Sequence, residues 1–215
     1  VFPISRVTKD PQVRQAELMD TALELFLANG YQKTTVQDIV KHVNVAQGTF
    51  YYYFPSKEAI LEAILISHVQ NMIAEIQAFK PDNILEKLQF FINRFYRLSY
   101  LGEPGLISKV LYKEKQGLLI NKLWRQTITI TNPLLSHILE QCNQAGVTHV
   151  IHIDETLCFF GGVMAALLEA SSPLEFGHES NPQILRAKLT IAEKMLETLF
   201  GASPGSIHLD EPQVI

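Results

Sequence analysis

Between Thr35 and Lys57 the chain gathers hydrogen-bonding, aromatic and cationic side chains, with Gln47, Gly48, Thr49, Tyr51, Tyr52 and Tyr53 inside one short stretch. Gly weakens a helix by about 1 kcal/mol and a solvated Tyr gains little from burial, so this is a poor choice for stability alone. As a contact surface it has a rationale. Tyr and Thr hydroxyls donate to phosphate oxygens, Gln reads base edges in a major groove, and Gly admits close backbone approach. Lys33, Lys41, His42 and Lys57 flank the stretch, and Arg6, Lys9 and Arg14 offer an N-terminal arm. The chemistry these residues suit is binding of duplex DNA. Two other readings compete with it: Tyr51 to Phe54 as plain core, or the same motif used only for protein contacts.

The elements that must position these residues have helical spacing. Residues 11–29 place Pro11 in a first turn after Asp10, carry Val13, Ala16, Met19, Leu23, Phe26 and Leu27 on one face, and stop at Asn29-Gly30. A second, short helix is capped by Thr35, with Asp38 three residues on to complete a capping box, and it runs to about Val43. Asn44 stands where the chain must turn left-handed, and a further helix covers 47–53. Two short helices separated by about three residues cross steeply, which is helix-turn-helix geometry. Ile39, Val43, Val45 and Phe50 supply its small core. After Phe54-Pro55, Ser56 opens a long helix over 56–79.

The string Thr35-Val36-x-Asp38-Ile39, followed by Val45-Ala46-x-Gly48-Thr49-Phe50-Tyr51-x-Tyr53-Phe54-x-Ser56-Lys57-Glu58-x-Ile60-Leu61, resembles the signature of the tetracycline-repressor (TetR) family over roughly residues 12–62. That resemblance implies a homodimeric, all-helical transcription regulator, usually a repressor, with a ligand-binding C-terminal domain and no enzymatic activity. By position it assigns Thr35, Thr49, Tyr51 and Lys57 to phosphate contacts, with Tyr53 as an addition, and Gln37, Gln47, Gly48 and Tyr52 to base reading or groove approach. Two departures from the family pattern are Asn44, where a turn Gly is usual, and Ala46, where a capping Ser is frequent. The domains expected are 1–55 for DNA, 56–200 for regulation and dimerisation, and 201–215 as a loose tail.

Beyond residue 60 the segments stay helical, punctuated at Gly102-Glu103-Pro104, Gly117, Gly146 and Ser172-Pro173, and only Val147 to Ile153 alternates like a strand. A lone strand cannot satisfy its backbone, so that run reads as a connector. Phe91, Phe95, Tyr96, Trp124, Phe159, Phe160 and Met164 are the candidates to line an apolar pocket, with Phe90, Tyr100 and Tyr112 nearby. The effector such a pocket suits is a small hydrophobic or aromatic molecule. Helices over 154–171 and 183–200 resemble the pair that packs against a two-fold mate in this family. Gly161, Ala165, Leu185, Leu189, Ala192, Leu196 and Leu199 are the expected dimer contacts.

His149, His152, Asp154 and Glu155 raise a metal-dependent enzyme as the rival from another class, but their spacing lacks a helix-spaced partner set. No metal and no cofactor is expected. Cys142 and Cys158 are too few for a disulfide framework, and neither has a neighbouring cation to activate it. The formal charge of −4, with six Lys/Arg against six Asp/Glu in residues 1–60, means that DNA attraction has to come from locally placed cations. The first ten residues lack an apolar signal region, and the longest apolar run, 157–168, is short of the ~20 residues that span a bilayer. A cytoplasmic protein is the expectation.

Overall fold

Asp10 begins the first helix by accepting a bond from the Gln12 amide (2.8 Å), and Pro11, which has no N–H to satisfy, takes the first position of α1 (Pro11–Asn29). The helix ends where Gly30 adopts φ 93° and its amide returns to the Phe26 carbonyl. The buried face is Leu18, Ala22, Leu25 and Phe26. Val13 and Leu27, expected on that face, are exposed. The next turn is held by Thr34, a buried residue whose hydroxyl donates to the carbonyls of Leu25 (3.1 Å) and Gly30 (2.8 Å).

The computed structural model describes residues 10–100, 111, 114–170 and 182–210, with eight helices and no strand among them. Arg6, Lys9, Tyr112, both Pro-containing breaks at 102–104 and 172–173, and residues 211–215 lie outside the described residues, as does the side chain of Tyr100. The chain divides into two units after Leu65, inside the fourth helix and not at residue 55.

The first unit holds α1, α2 (Val36–Val43), α3 (Gln47–Tyr53) and the start of α4 (Lys57–Ala78). Ile39, Val40, Phe50, Phe54, Ile60, Leu61 and Ile64 join the α1 residues in its core. α4 is long and apolar enough to cross a bilayer by length and composition. Ile60, Leu61, Ile64, Leu65, Val69, Met72 and Ile76 of this helix are instead buried in the protein.

The second unit holds the rest of α4, α5 (Ile84–Tyr100), α6 (Gly117–Gln144), α7 (Ile153–Ala170) and α8 (Pro182–Phe200). The strand-like run is indeed a connector. Asn143 accepts from the Val150 amide (3.0 Å) and donates to its carbonyl (2.7 Å), while the His149 amide donates to Phe200 O (2.9 Å). Gly201 makes that crossing possible: it has φ 59°, and a Cβ there would stand 3.1 Å from the His149 carbonyl oxygen.

Three sequence expectations change here. Phe91, Phe95, Tyr96, Phe160 and Met164 are buried and pack on one another, with Phe160 5.3 Å from Phe95 and 6.1 Å from Phe91 between ring centroids. Trp124 closes the cluster edge-on to Phe95 at 5.6 Å. These rings fill the core and line neither of the two cavities described in this unit. Phe159 is 67% exposed, because the helical period that turns Leu157, Phe160 and Met164 inward turns it outward.

The expected dimer residues also face inward: Leu189, Ala192 and Leu196 are buried, Gly161 meets Ile128 Cδ1 at 3.2 Å, and Ala165, Leu185 and Leu199 are half-buried. The outward stripe consists of Cys158, Phe159, Gly162 and Ala166 on α7 and Ile184, Ile191 and Met195 on α8.

The third change is the tail. Residues 201–210 are docked, with Ile207 and Leu209 buried. Their amides donate to Glu197 (3.2 Å) and Glu193 (2.9 Å) of α8. The alternate amides, of His208 and Asp210, donate to Gln89 (2.8 Å) and Asn93 (3.2 Å) of α5. Side chains one helical turn apart on each helix thus satisfy successive faces of one extended segment.

Candidate nucleic-acid interface

The candidate interface is built on α2 and α3. α2 starts with a complete capping box: Thr35 Oγ1 accepts from the Asp38 amide (3.1 Å), and the Asp38 carboxylate accepts from the Thr35 amide (2.9 Å). The Thr35 hydroxyl proton also goes to Asp38, at 2.6 Å. The Thr35 side-chain hydrogen bond, followed by its backbone one, holds the Asp38 carboxyl below its ordinary range, so it is charged at neutral pH. Thr35 therefore has neither its N–H nor its hydroxyl proton free for a phosphate, which corrects the role assigned to it. Its part is to begin α2 and so to place the exposed Gln37.

α2 ends at Asn44 in the left-handed region (φ 56°, ψ 52°), and the Val45 amide closes the turn on the Val40 carbonyl (3.0 Å). Asn is the side chain best able to replace Gly there. α3 starts at Ala46 with no side-chain cap, as the sequence implied. Phe50 is fully buried and roots the helix, and the Phe54 amide ends it on Phe50 O (2.8 Å).

The other face of α3 is open. Gln47 and Gly48 are exposed, Tyr51 is 50% and Tyr52 78% exposed, and Thr49 and Tyr53 are half-buried. The Tyr53 ring lies edge-on to Tyr52 at 4.9 Å, which stiffens the aromatic pair. A Cβ built on Gly48 meets nothing within 4 Å. No packing among the described residues requires a glycine there, although it costs helix stability. Gly48→Ala is therefore expected to stabilise the chain by about 0.5–1 kcal/mol in urea unfolding followed by circular dichroism.

Lys57 does not stand free. Its Nζ donates to the carbonyls of Tyr31 (2.7 Å), Thr34 (2.8 Å) and Gln32 (3.3 Å) and lies 4.4 Å from the centre of the Tyr31 ring. An ammonium has three protons, and three carbonyls take them. The phosphate role assigned to Lys57 is replaced by fastening of the turn that precedes α2. Sequence reasoning missed Tyr31 and Thr34 as partners because they lie 26 and 23 residues away. Lys33, Lys41 and His42 are exposed beside the motif, while Arg14 is drawn to Glu17 (2.8 Å).

The rival metal site does not assemble: among the described residues no group of three His, Cys, Asp or Glu side chains is placed to hold an ion. Cys142 is buried and its thiol pKa is pushed up to about 11 by burial; Cys158 is exposed, and the two are not joined.

Residues 18–64 match the family model described as bacterial regulatory proteins, tetR family. Over 114 residues the chain is 32% identical to the "Fatty acid metabolism regulator protein" of Bacillus subtilis, covering 53% of this chain and 45% of that one. It is 21% identical over 161 residues to the "Probable acrEF/envCD operon repressor" of Escherichia coli K12, covering 71% and 73% of the two chains. Salmonella enterica GusR shares the fold with a TM-score of 0.64 at 16% identity, covering 91% of this chain and 99% of GusR. Three curated relatives are matched over 16%, 45% and 35% of their lengths, so the chain spans less than half of each.

Proposed function

We propose that the chain, whose residues 18–64 match the tetR family of bacterial regulatory proteins, is a sequence-specific DNA-binding transcription regulator and not an enzyme. The observation that carries the reading is Gly48: an exposed glycine in open space, on a helix rooted by Phe50 and bordered by exposed Gln47, Tyr51 and Tyr52. A residue that costs stability and relieves no internal clash is explained by an outside surface that must come close. Gln47, Gly48 and Tyr52 approach the bases, with Gln37 beside them. Thr49, Tyr51 and Tyr53 donate hydroxyls to phosphates, and the neighbouring cations are Lys33 and Lys41.

Family members bind DNA as dimers and often bind ligands. The apolar stripe on α7 and α8 supports a homodimer of this chain, which would set two recognition helices on half-sites about 34 Å apart. We read the protein as a cytoplasmic repressor released from a palindromic operator by a small hydrophobic effector. The effector must bind the released state more tightly than the DNA-bound one for this to work.

The test is selection of sites from a random duplex library with wild type, Tyr51→Ala and Gly48→Ala. An enriched palindrome is expected with wild type and loss of enrichment with both variants, Gly48→Ala failing although it is the more stable protein. No enrichment by wild type, before and after refolding from denaturant to strip bound ligand, identifies a protein-contact module instead.

Lys57→Met gives a second measurement. It frees three carbonyls and is expected to cost about 1–2 kcal/mol of stability. The slope of log K against log salt on the selected operator should stay unchanged, whereas losing a phosphate contact flattens it by about 0.9.

A further inference from the structure

The docked C-terminal segment is clasped by side chains alone: among the described residues no backbone–backbone hydrogen bond reaches 207–210. The amides of Ile207 and Leu209 go to the Glu197 and Glu193 carboxylates of α8, and those of His208 and Asp210 to the side-chain carbonyls of Gln89 and Asn93 on α5. Gln89 also donates its side-chain amide to the His208 carbonyl. It thus pairs with both backbone groups of His208, as a residue of a neighbouring antiparallel strand would.

Helix and segment keep step because their periods agree. Residues i and i+4 of a helix lie about 6 Å apart along its axis, and residues i and i+2 of an extended chain about 6.6–6.8 Å apart. Gln89 and Asn93 therefore match His208 and Asp210, while Glu193 and Glu197 match Leu209 and Ile207, so the segment runs parallel to α5 and antiparallel to α8. The Ile207 and Leu209 side chains enter the core, and His208 and Asp210 are exposed. Every polar bond from α5 and α8 to 207–210 is made to main chain, which any sequence offers; only the two alternate apolar positions are selected by side chain. Main-chain bonds with pockets for alternate residues are the means by which proteins recognise extended peptides.

The seat is not packed out. A cavity of about 430 Å³ is lined by Ser206, His208 and Asp210 of the segment and by Phe79, Phe90 and Asn93 opposite. α8 packs on α7, and α5 packs on α6 and α7, so both helices keep their helical partners when the segment leaves.

We propose that the groove between α5 and α8 is a peptide-binding surface and that the chain's own C-terminal segment is its ligand, carried in cis. Release of the segment uncovers a seat for an extended peptide with apolar residues at alternate positions. The inference concerns the second unit alone and is tested without DNA.

Two measurements on the full chain test it. In hydrogen exchange followed by NMR, the amides of Ile207, His208, Leu209 and Asp210 should open together, protected about 10²-fold and at least about tenfold less than the Leu189 and Leu196 amides of α8. In the double variant Ile207→Asp, Leu209→Asp, two carboxylates brought to the apolar seat beside Glu193 and Glu197 should eject the segment while the helical circular dichroism of wild type is kept. That variant should bind a fluorescein-labelled peptide of residues 203–210 with a Kd of about 10 µM by anisotropy. Wild type should bind it about 100-fold more weakly, because its own segment competes at an effective concentration of about 1 mM. The same peptide with Ile207→Ser and Leu209→Ser should bind neither. Any of four results overturns the proposal: segment amides as protected as those of the α8 core, loss of helical signal in the double variant, which would make the segment part of the scaffold, a folded double variant that binds the peptide no better than wild type, or equal binding of the serine peptide.

Discussion

Ile191→Asp is expected to convert the protein to a monomer that keeps its fold and loses operator binding by about 10² to 10⁴ fold. Ile191 is 59% exposed in the middle of α8, between Ile184 and Met195 on the same outward stripe. The residues that hold α8 to its own unit, Leu189, Ala192 and Leu196, lie on the other side, so the substitution leaves the core untouched. In the proposed homodimer, an aspartate on this apolar stripe puts a charge into the buried contact of both copies. A single recognition helix then holds one half-site without the gain from linkage to its mate, and that gain sets the size of the loss. Light scattering reads the mass, circular dichroism the fold, and fluorescence anisotropy the operator affinity. A variant that stays dimeric moves the interface off α8; a monomer that keeps full operator affinity removes dimerisation from the mechanism.

The helices and their ends are legible in the sequence because their causes are local. Pro11 after Asp10, the Thr35/Asp38 box, Asn44 in the turn and uncapped Ala46 act within about five residues, and each has the predicted geometry. What escapes the sequence is decided across the chain. Lys57 looks like a free cation until the turn at Tyr31 to Thr34 folds over it. The tail looks polar and turn-rich, and its docking depends on Gln89, 119 residues from His208, and on the Glu193 and Glu197 carboxylates. α7 and α8 fail for another reason. Each carries apolar residues on two faces, so periodicity announces a helix without saying which face meets its own chain. Gly161 and Ala165 invite a close partner, and in the structure the side chain that meets Gly161 is the chain's own Ile128. Among the residues singled out for DNA, the exposed positions of α3 agree with their expected place, whereas Thr35 and Lys57 have spent their protons inside the protein.

Phe160→Ala is expected to cost about 3–5 kcal/mol of stability, whereas Phe159→Ala, one residue earlier, should cost less than about 1 kcal/mol. Phe160 is 1% exposed and touches the rings of Phe91, Phe95 and Phe200, so truncation leaves a void among stiff neighbours that cannot collapse into it. Phe159 loses little because little of it is buried. The comparison belongs in the Ile191→Asp background, where dimer dissociation does not add to unfolding. The chain has one tryptophan, Trp124, edge-on to Phe95, so its fluorescence in a urea titration reports the second unit alone. The pair of values also separates two meanings of the aromatic cluster. If Phe160 lined an open effector pocket, removing its ring would enlarge an existing void and cost no more than Phe159 does. A cost several times larger is the signature of a filled core.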